Sequence, residues 1–350
     1  MTAPRVVVVG AGISGLAAAH RLRQRLGPAH VRVVDRAPQA GGKISTLRRD
    51  GLVMEEGPDS FLTTKPEGVA LCRELGIAPR LVGTLPASPR GYVRRGGTLH
   101  PIPEGMSGLV PARLGGILRT RLLSLPGKLR LCAERLVPAL ATDADESVAA
   151  FIRRRFGAEA YEHLFEPLLG GIYAGNGDTL SLAATYPQLR TLERRYGSVL
   201  RGLGRERSKR ADGATPPFVS FPTGMAELVE ALLAAMSDVE IHRSTGVRAI
   251  SRREGHWMVH LDDAGPWECD GVILATPAHE AARLLRNVDD GLSGALARIP
   301  HVSSTTVTLA LPRREVAGRL PSGHGLLSPR AEGGPIVAWT FVDQKFQGRA

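Results

Sequence analysis

Val6-Val7-Val8-Val9-Gly10-Ala11-Gly12-Ile13-Ser14-Gly15 decides the fold. Four consecutive β-branched residues read as a short strand buried on both faces. The chain then turns on Gly10 and Gly12 and enters an apolar-rich helix over 16–26, which stops at Gly27-Pro28. A second strand, Val31-Arg32-Val33-Val34, follows and ends in Asp35. The stretch is a strand–turn–helix–strand unit with GxGxxG at its first turn, the context in which that motif carries information. Gly10 permits the tight turn, Gly12 lets backbone approach a diphosphate, and Gly15 lets the helix pack close to the sheet. The amides at Ile13, Ser14 and Gly15 and the positive helix end then face phosphate oxygens. Asp35 stands where a carboxylate accepts from ribose hydroxyls, and its charge repels a further phosphate there. A secretory leader is the rival reading of the apolar run near Arg5, but a convincing cleavage site is missing and the glycines are spaced for a turn.

What comes next favours FAD over NAD. Gly41-Gly42-Lys43 follows Asp35 by six residues, then Gly51, then Glu55-Glu56-Gly57-Pro58-Asp59-Ser60-Phe61. Each glycine singly is an ordinary turn. In this order they describe backbone pressed against a long extended cofactor.

Asp35-Arg36, Gly41-Gly42-Lys43-Ile44 and Glu56-Gly57-Pro58-Asp59-Ser60-Phe61 resemble the flavin-containing amine oxidase superfamily, and within it the porphyrinogen oxidases of haem synthesis. Phe165-Glu166-Pro167-Leu168-Leu169-Gly170-Gly171-Ile172-Tyr173-Ala174-Gly175, with Leu180-Ser181 beyond it, is similar to the same family, with Asn176 where the family usually has Asp. The resemblance implies FAD held by Gly10, Gly12, Ile13, Ser14, Gly15, Asp35, Arg36, Gly42, Lys43, Gly57, Pro58, Asp59 and Ser60, with backbone at Val247 beside the adenine. It implies a tetrapyrrole substrate, molecular oxygen as acceptor, and Leu326, Leu327 and Phe346 as apolar walls. Gly171 would allow close approach of the macrocycle, and Arg90 would pair with a propionate. The closest likeness is to coproporphyrinogen III oxidases, with protoporphyrinogen IX as the alternative substrate. The family also continues into a segment that closes over the flavin, so FAD affinity is expected to depend on it.

At 350 residues the chain is long enough for more than one core. The implied class is α/β: a discontinuous Rossmann-like FAD-binding domain (1–85 and 213–285), a mixed-sheet substrate domain (86–97 and 286–350) and a helical lobe (98–212). Three cysteines, without CxxC spacing, read as reduced thiols in a cytoplasmic protein. No stretch of eighteen apolar residues occurs. The net charge of +11 permits anionic partners, but 5% aromatic residues offer no stacking platform, so nucleic acid is excluded as the weakest choice. No nucleophile elbow, zinc spacing or P-loop appears, which leaves no catalytic side chain and no metal to name. His256 and His260 fall on a strand rather than a helix.

Elsewhere the sequence predicts a helix over 66–75, a hairpin turning on Gly96-Gly97, and helix over 109–140 broken at Pro126-Gly127 and Pro138. That last stretch mixes leucines with Arg113, Arg119, Arg121, Lys128, Arg130 and Arg135. It reads as a solvated face, with peripheral contact to an anionic membrane or a downstream haem-pathway enzyme as the alternative. Asp143 or Asp145 is expected to cap a helix exposing Arg153, Arg154 and Arg155. A second helix from Glu159 is expected to end at Pro167 and the glycine pair. Residues 205–213 form a charged connector. Strands are expected over 247–250, 257–261, 271–275, 302–311 and 335–341. An amine oxidase or carotenoid desaturase is the competing enzyme reading, and a non-catalytic remnant the competing reading of another class.

Overall fold

The structure is a computed structural model that describes residues 3–87, 89–107, 109–111, 113–142, 144–173, 175–207, 216–316 and 318–349. Asp143, Ala174, residues 208–213 of the connector and Ala350 lie outside the described residues. The chain divides into two compact units, 1–84 with 216–310 and 348–350, and 85–215 with 311–347. Residues 286–310, expected with the substrate domain, cluster with the first unit, and the helical lobe shares one unit with the 86–97 hairpin.

The first unit is built on a parallel sheet. Strand β1 (Val6–Val9) leads into helix α1 (Ile13–Leu26) and strand β2 (Val31–Val34). The sheet order is Glu240–His242, β2, β1, Gly271–Leu274. Alternation along β1 supplies two cores at once. Val8 packs with Leu16, Ala19, Val33 and Leu232 on one face, while Val7 and Val9 join Val247, Ile250, Val259 and Leu261 on the other. Each such valine stabilises by about 1.5–3 kcal/mol when fully buried. The second face is covered by an antiparallel sheet of Val247–Arg253, His256–Leu261 and Trp267–Cys269. Helix α1 begins at Ile13, three residues earlier than its apolar pattern marks, because the glycine turn feeds directly into it.

The second unit joins a helical core to a four-stranded sheet ordered Ala338–Thr340, Gly325–Leu327, Tyr92–Arg95, Thr98–Pro101. The predicted hairpin is present, with Gly96 and Gly97 at φ 56° and 75°, the left-handed pair that a two-residue turn needs. Several expectations fail here. Pro126 does not break a helix but opens one, Leu125–Cys132, behind an N-cap in which Ser124 Oγ accepts from Gly127 N at 3.1 Å. Val110–Pro111 is a short strand paired with Met106–Ser107. The Val148–Phe156 helix is capped by Ser147 rather than by an aspartate. Pro167, Gly170 and Gly171 lie inside a continuous helix, Glu166–Tyr173, entered through a π-helical turn at Tyr161–Phe165. The change of hydrogen-bond register at that turn absorbs the missing Pro167 N–H. Residues 302–311 are exposed throughout and, among the described residues, pair with no strand.

The largest departure is Arg155, expected on the exposed side and found completely buried. Its Nε donates to Glu134 Oε1 at 2.8 Å, and its other nitrogens reach Glu134, Glu193 and the carbonyls of Val137 and Gly197. Glu134, also fully buried, accepts from Val199 N at 2.9 Å at the start of the Val199–Arg207 helix. Arg154 links Glu193 to Glu146, so Glu134, Glu146, Glu193, Arg154, Arg155 and Arg190 form one ion network. Removing one member strands its partner in low dielectric. Arg155→Met is therefore expected to lower stability by about 3–5 kcal/mol, read as a shift in urea midpoint. A loss under about 1 kcal/mol, the range of exposed pairs, would contradict this role.

Candidate functional site

The parallel strands end together at the edge of the first unit where the sheet order reverses: α1 carries the chain from β1 to β2 on one side, while Gly271–Leu274 lies on the other. In open α/β sheets that is where ligands bind. Gly10 sits there at φ 109°, and a Cβ on it would meet Ala275 O at 2.8 Å. A Cβ on Gly15 would strike Gly10 O at 1.8 Å, so helix and turn touch at backbone distance. Both glycines are required by packing alone. Gly12 is different. Its φ is −70°, and a Cβ added there would find nothing nearer than Gly42 Cα at 3.8 Å.

The second glycine pair closes on the first. Gly41 N donates to Ala11 O at 2.8 Å, Gly12 bridges Gly41, and a Cβ on Gly42 (φ 61°) would lie 3.0 Å from Gly12 Cα. A Cβ on Gly57 would meet Lys43 O at 1.9 Å, which ties the Gly57-Pro58 stretch to the same place. Pro58 is exposed, while Asp59 and Ser60 are half-buried; Ser60 Oγ donates to Asp59 Oδ1 at 2.6 Å, and Ser220 Oγ to Asp59 O at 2.6 Å. Asp35 ends β2 with each carboxylate oxygen already accepting an amide: Ala11 N at 2.6 Å and Ala37 N at 2.7 Å. It braces the glycine turn, and each oxygen retains a further lone pair for a hydroxyl donor. Arg36 and Lys43 are exposed, and Arg36 pairs with Glu280 at 3.3 Å. Val247 is buried, and its carbonyl accepts from Arg283 Nη2 at 2.8 Å.

A nucleotide diphosphate fits this arrangement. Helix α1 has no side-chain cap and no acid in its first turn, so its leading amides are presented to solvent-side anions. Thr276 Oγ1, missed by the sequence reading, is buried without a hydrogen-bond partner, and its methyl lies 3.5 Å from a Cβ built on Gly10. The one trace of it in the sequence is the Thr276-Pro277 that ends the apolar strand.

The residues expected at the substrate lie in the second unit. Leu326 and Leu327 are half-buried in Gly325–Leu327, opposite Tyr92 and Val93. A Cβ on Gly171 would stand 2.8 Å from Leu327 Cδ2, so this glycine lets the Glu166–Tyr173 helix touch that strand. Arg90 is exposed at the entry to the neighbouring strand, and its carbonyl accepts from His324 N at 2.8 Å. Phe346, expected as a wall, is completely buried and shows no free surface. Burial pushes the His324 imidazole below its ordinary range, its contact with Leu85 O pulls it back up, and Lys345 and Arg90 add to the fall. Burial also pushes the Glu166 carboxyl upward, opposed by the Arg330 amide and guanidinium. Burial raises the Cys72 thiol to about 11, which removes it as a thiolate nucleophile near neutrality. Among the described residues no cluster of His, Cys, Asp or Glu is placed to hold a metal ion.

A family of flavin containing amine oxidoreductases matches residues 13–349. The chain belongs to that family. It is an FAD-dependent oxidoreductase with the mixed α/β fold of these flavoproteins. A coproporphyrinogen III oxidase of Bacillus subtilis (strain 168) is 33% identical over 97% of this chain and 73% of its own length. One from Propionibacterium freudenreichii subsp. freudenreichii is 34% identical, over 99% and 70%. A crystal structure from Exiguobacterium sp. 255-15, provisionally described as a protoporphyrinogen oxidase, superposes with a TM-score of 0.81 at 31% identity, covering 100% of this chain and 75% of that one.

The room at Gly12 supplies a test that separates folding from cofactor. Gly12→Ala is expected to leave the melting temperature of the FAD-free protein unchanged, because backbone angle and space both admit a methyl. FAD affinity should fall by about tenfold or more, the cost of an intruding methyl in a close contact, measured by flavin fluorescence titration. Unchanged affinity would remove the diphosphate from this turn.

Proposed function

We propose that this protein oxidises a porphyrinogen to its porphyrin in haem synthesis, with coproporphyrinogen III as substrate and molecular oxygen as acceptor. The observation that carries this reading is the match of coproporphyrinogen III oxidases to 97% and 99% of the chain, across both compact units. In this reading Gly10, Gly12, Ile13, Ser14 and Gly15 hold the diphosphate of FAD and Asp35 and Arg36 its ribose side. Gly42, Lys43, Gly57, Pro58, Asp59 and Ser60 line its extended length, and Val247 lies at its adenine. Thr276 Oγ1 would find a partner there.

Bound FAD supplies a two-electron oxidant, which oxygen restores with release of hydrogen peroxide. A porphyrinogen loses six hydrogens in three such rounds, each a hydride from a meso carbon and a proton from nitrogen. One carbon-to-nitrogen tautomerisation makes the net loss four from carbon and two from nitrogen, and three oxygen molecules leave as three of peroxide. The protein's own work is to bind and orient. Leu326 and Leu327 supply apolar contact, Gly171 permits close approach, and Arg90 pairs with a propionate. Protoporphyrinogen IX is the second reading, favoured by the description of the Exiguobacterium structure. The reaction belongs to a cytoplasmic setting.

Incubation of FAD-loaded protein with each porphyrinogen in air should give porphyrin fluorescence and peroxide in one-to-three proportion, faster with coproporphyrinogen III. Turnover of protoporphyrinogen alone would choose the second reading, and turnover of neither would refute the substrate class. Arg90→Ala keeps the backbone carbonyl that holds His324. It is expected to raise KM for coproporphyrinogen by about tenfold or more, the worth of a charge-assisted hydrogen bond, with kcat within twofold. An unchanged KM would return Arg90 to the surface.

A further inference from the structure

The helix Ala278–Leu285 starts just after Thr276, which lies against Gly10 at the glycine turn, and reaches Val247 through its last turn. Two of its side chains, Glu280 and Arg283, share a face by their spacing of three residues. Arg283 Nε donates to Glu280 Oε2 at 3.1 Å, while Nη1 and Nη2 donate to the carbonyls of Arg248 and Val247, both at 2.8 Å. Those carbonyls belong to an irregular place in the sheet. The pairing of Val247–Arg253 with His256–Leu261 shifts register between Val247 and Ala249. A bulge leaves backbone groups without ladder partners, and the planar guanidinium fork supplies donors to two of them.

Satisfying a bulge accounts for Arg283 but not for Glu280. The second carboxylate oxygen of Glu280, Oε1, accepts from Arg36 Nη1 at 3.3 Å, and Arg36 directly follows Asp35. The backbone around Asp35 leads to the same bulge. Asp35 N donates to His242 O at 2.8 Å, Thr245 N to Asp35 O at 2.9 Å, and Ser244 N to Ala37 O at 3.0 Å. Residues 242–245 are thereby stitched to 35–37, and the chain continues from them into Val247. Burial alone would push the Glu280 carboxyl upward, but the Arg283 hydrogen bond and the charge of Arg36 outweigh it and hold the carboxyl below its ordinary range. One ionised carboxylate therefore joins the arginine beside Asp35 to the arginine that holds Val247.

We propose that Glu280 and Arg283 are positioning residues for the adenosine end of FAD, fixing the Val247 and Arg248 carbonyls on one side and the Arg36 guanidinium on the other before the nucleotide arrives. The inference rests on the reading that lays the diphosphate on the glycine turn and the base at Val247. Each carbonyl keeps a second lone pair for an amine donor such as that of adenine. The side chains of Arg36 and Arg283 are 73% and 45% exposed, so their ion pairs add little to folding. What they remove is the cost of ordering these groups on binding.

The test measures FAD affinity by flavin fluorescence titration and ADP affinity by displacement of FAD, for Arg283→Lys and Glu280→Gln. Charge alone predicts no change for the first, which keeps its cation, and tighter binding for the second, which removes an acid near an anionic ligand. Positioning predicts otherwise, because lysine lacks the fork and glutamine releases both arginines. Each variant should bind FAD and ADP more weakly by about tenfold, the cost of ordering on binding what was held beforehand. The factor should be the same for both ligands, since the loss lies in the half they share. The melting temperature of the FAD-free protein and the absorption maxima of the bound flavin should hold. Unchanged or tighter binding in the variants, with ADP still displacing FAD from the unaltered protein, overturns the proposal alone. Weaker FAD with unchanged ADP also overturns it, by moving the pair to the flavin end, and so does a lowered melting temperature, by making the pair structural. Failure of ADP to displace FAD from the unaltered protein removes the nucleotide reading and the proposal together.

Discussion

Backbone meets backbone at the carboxyl end of β1, and that crowding organises the first unit. A Cβ at Gly10 would collide with Ala275 O, one at Gly15 with Gly10 O, and one at Gly57 with Lys43 O. These glycines let turn, helix and two later loops converge where side chains would hold them apart. The convergence fixes the direction of α1, whose uncapped start faces the opening, and brings Asp35 onto Ala11 N. Gly12 is the member that packing does not require, and so the one whose identity points to a ligand.

The second unit is held by a different means. Its helices close around a neutral set of six charged side chains, with Arg155 and Glu134 wholly inside. Glu134 also supplies the acceptor that the first turn of the Val199–Arg207 helix needs. Such a network is a poor source of net stability but a strict specifier of geometry, because any other arrangement leaves a charge unpaired.

The parts legible in the sequence are those whose signal is local. Four valines, a glycine turn and an acid-terminated strand define β1, α1 and β2, and Gly96-Gly97 defines its hairpin, because φ and periodicity are decided within a few residues. Arg155 was illegible for the opposite reason: three consecutive arginines read as solvent-facing, and Glu134 and Glu193, which bury one of them, lie about twenty and forty residues away. Pro126 was ambiguous because proline both ends helices and suits their first turn. Pro167 lay beyond reach because its tolerance depends on the preceding π-helical turn. Residues 302–311 carry the alternation of a strand, but alternation states a preference for extended backbone and a strand also needs a neighbour. At the candidate site the glycines and Asp35 were readable, whereas the orphaned Thr276 hydroxyl and the bracing of Ala11 by Asp35 emerge only from proximity.

The central claim is that the amino-terminal crossover grips the diphosphate of FAD. A crystal structure of the protein grown with FAD tests it most directly. Phosphate oxygens within about 3.2 Å of the amides of Ile13, Ser14 or Gly15, the reach of an N–H···O bond, are the result predicted. Flavin bound elsewhere in the fold, with that helix start facing only water, would contradict the account.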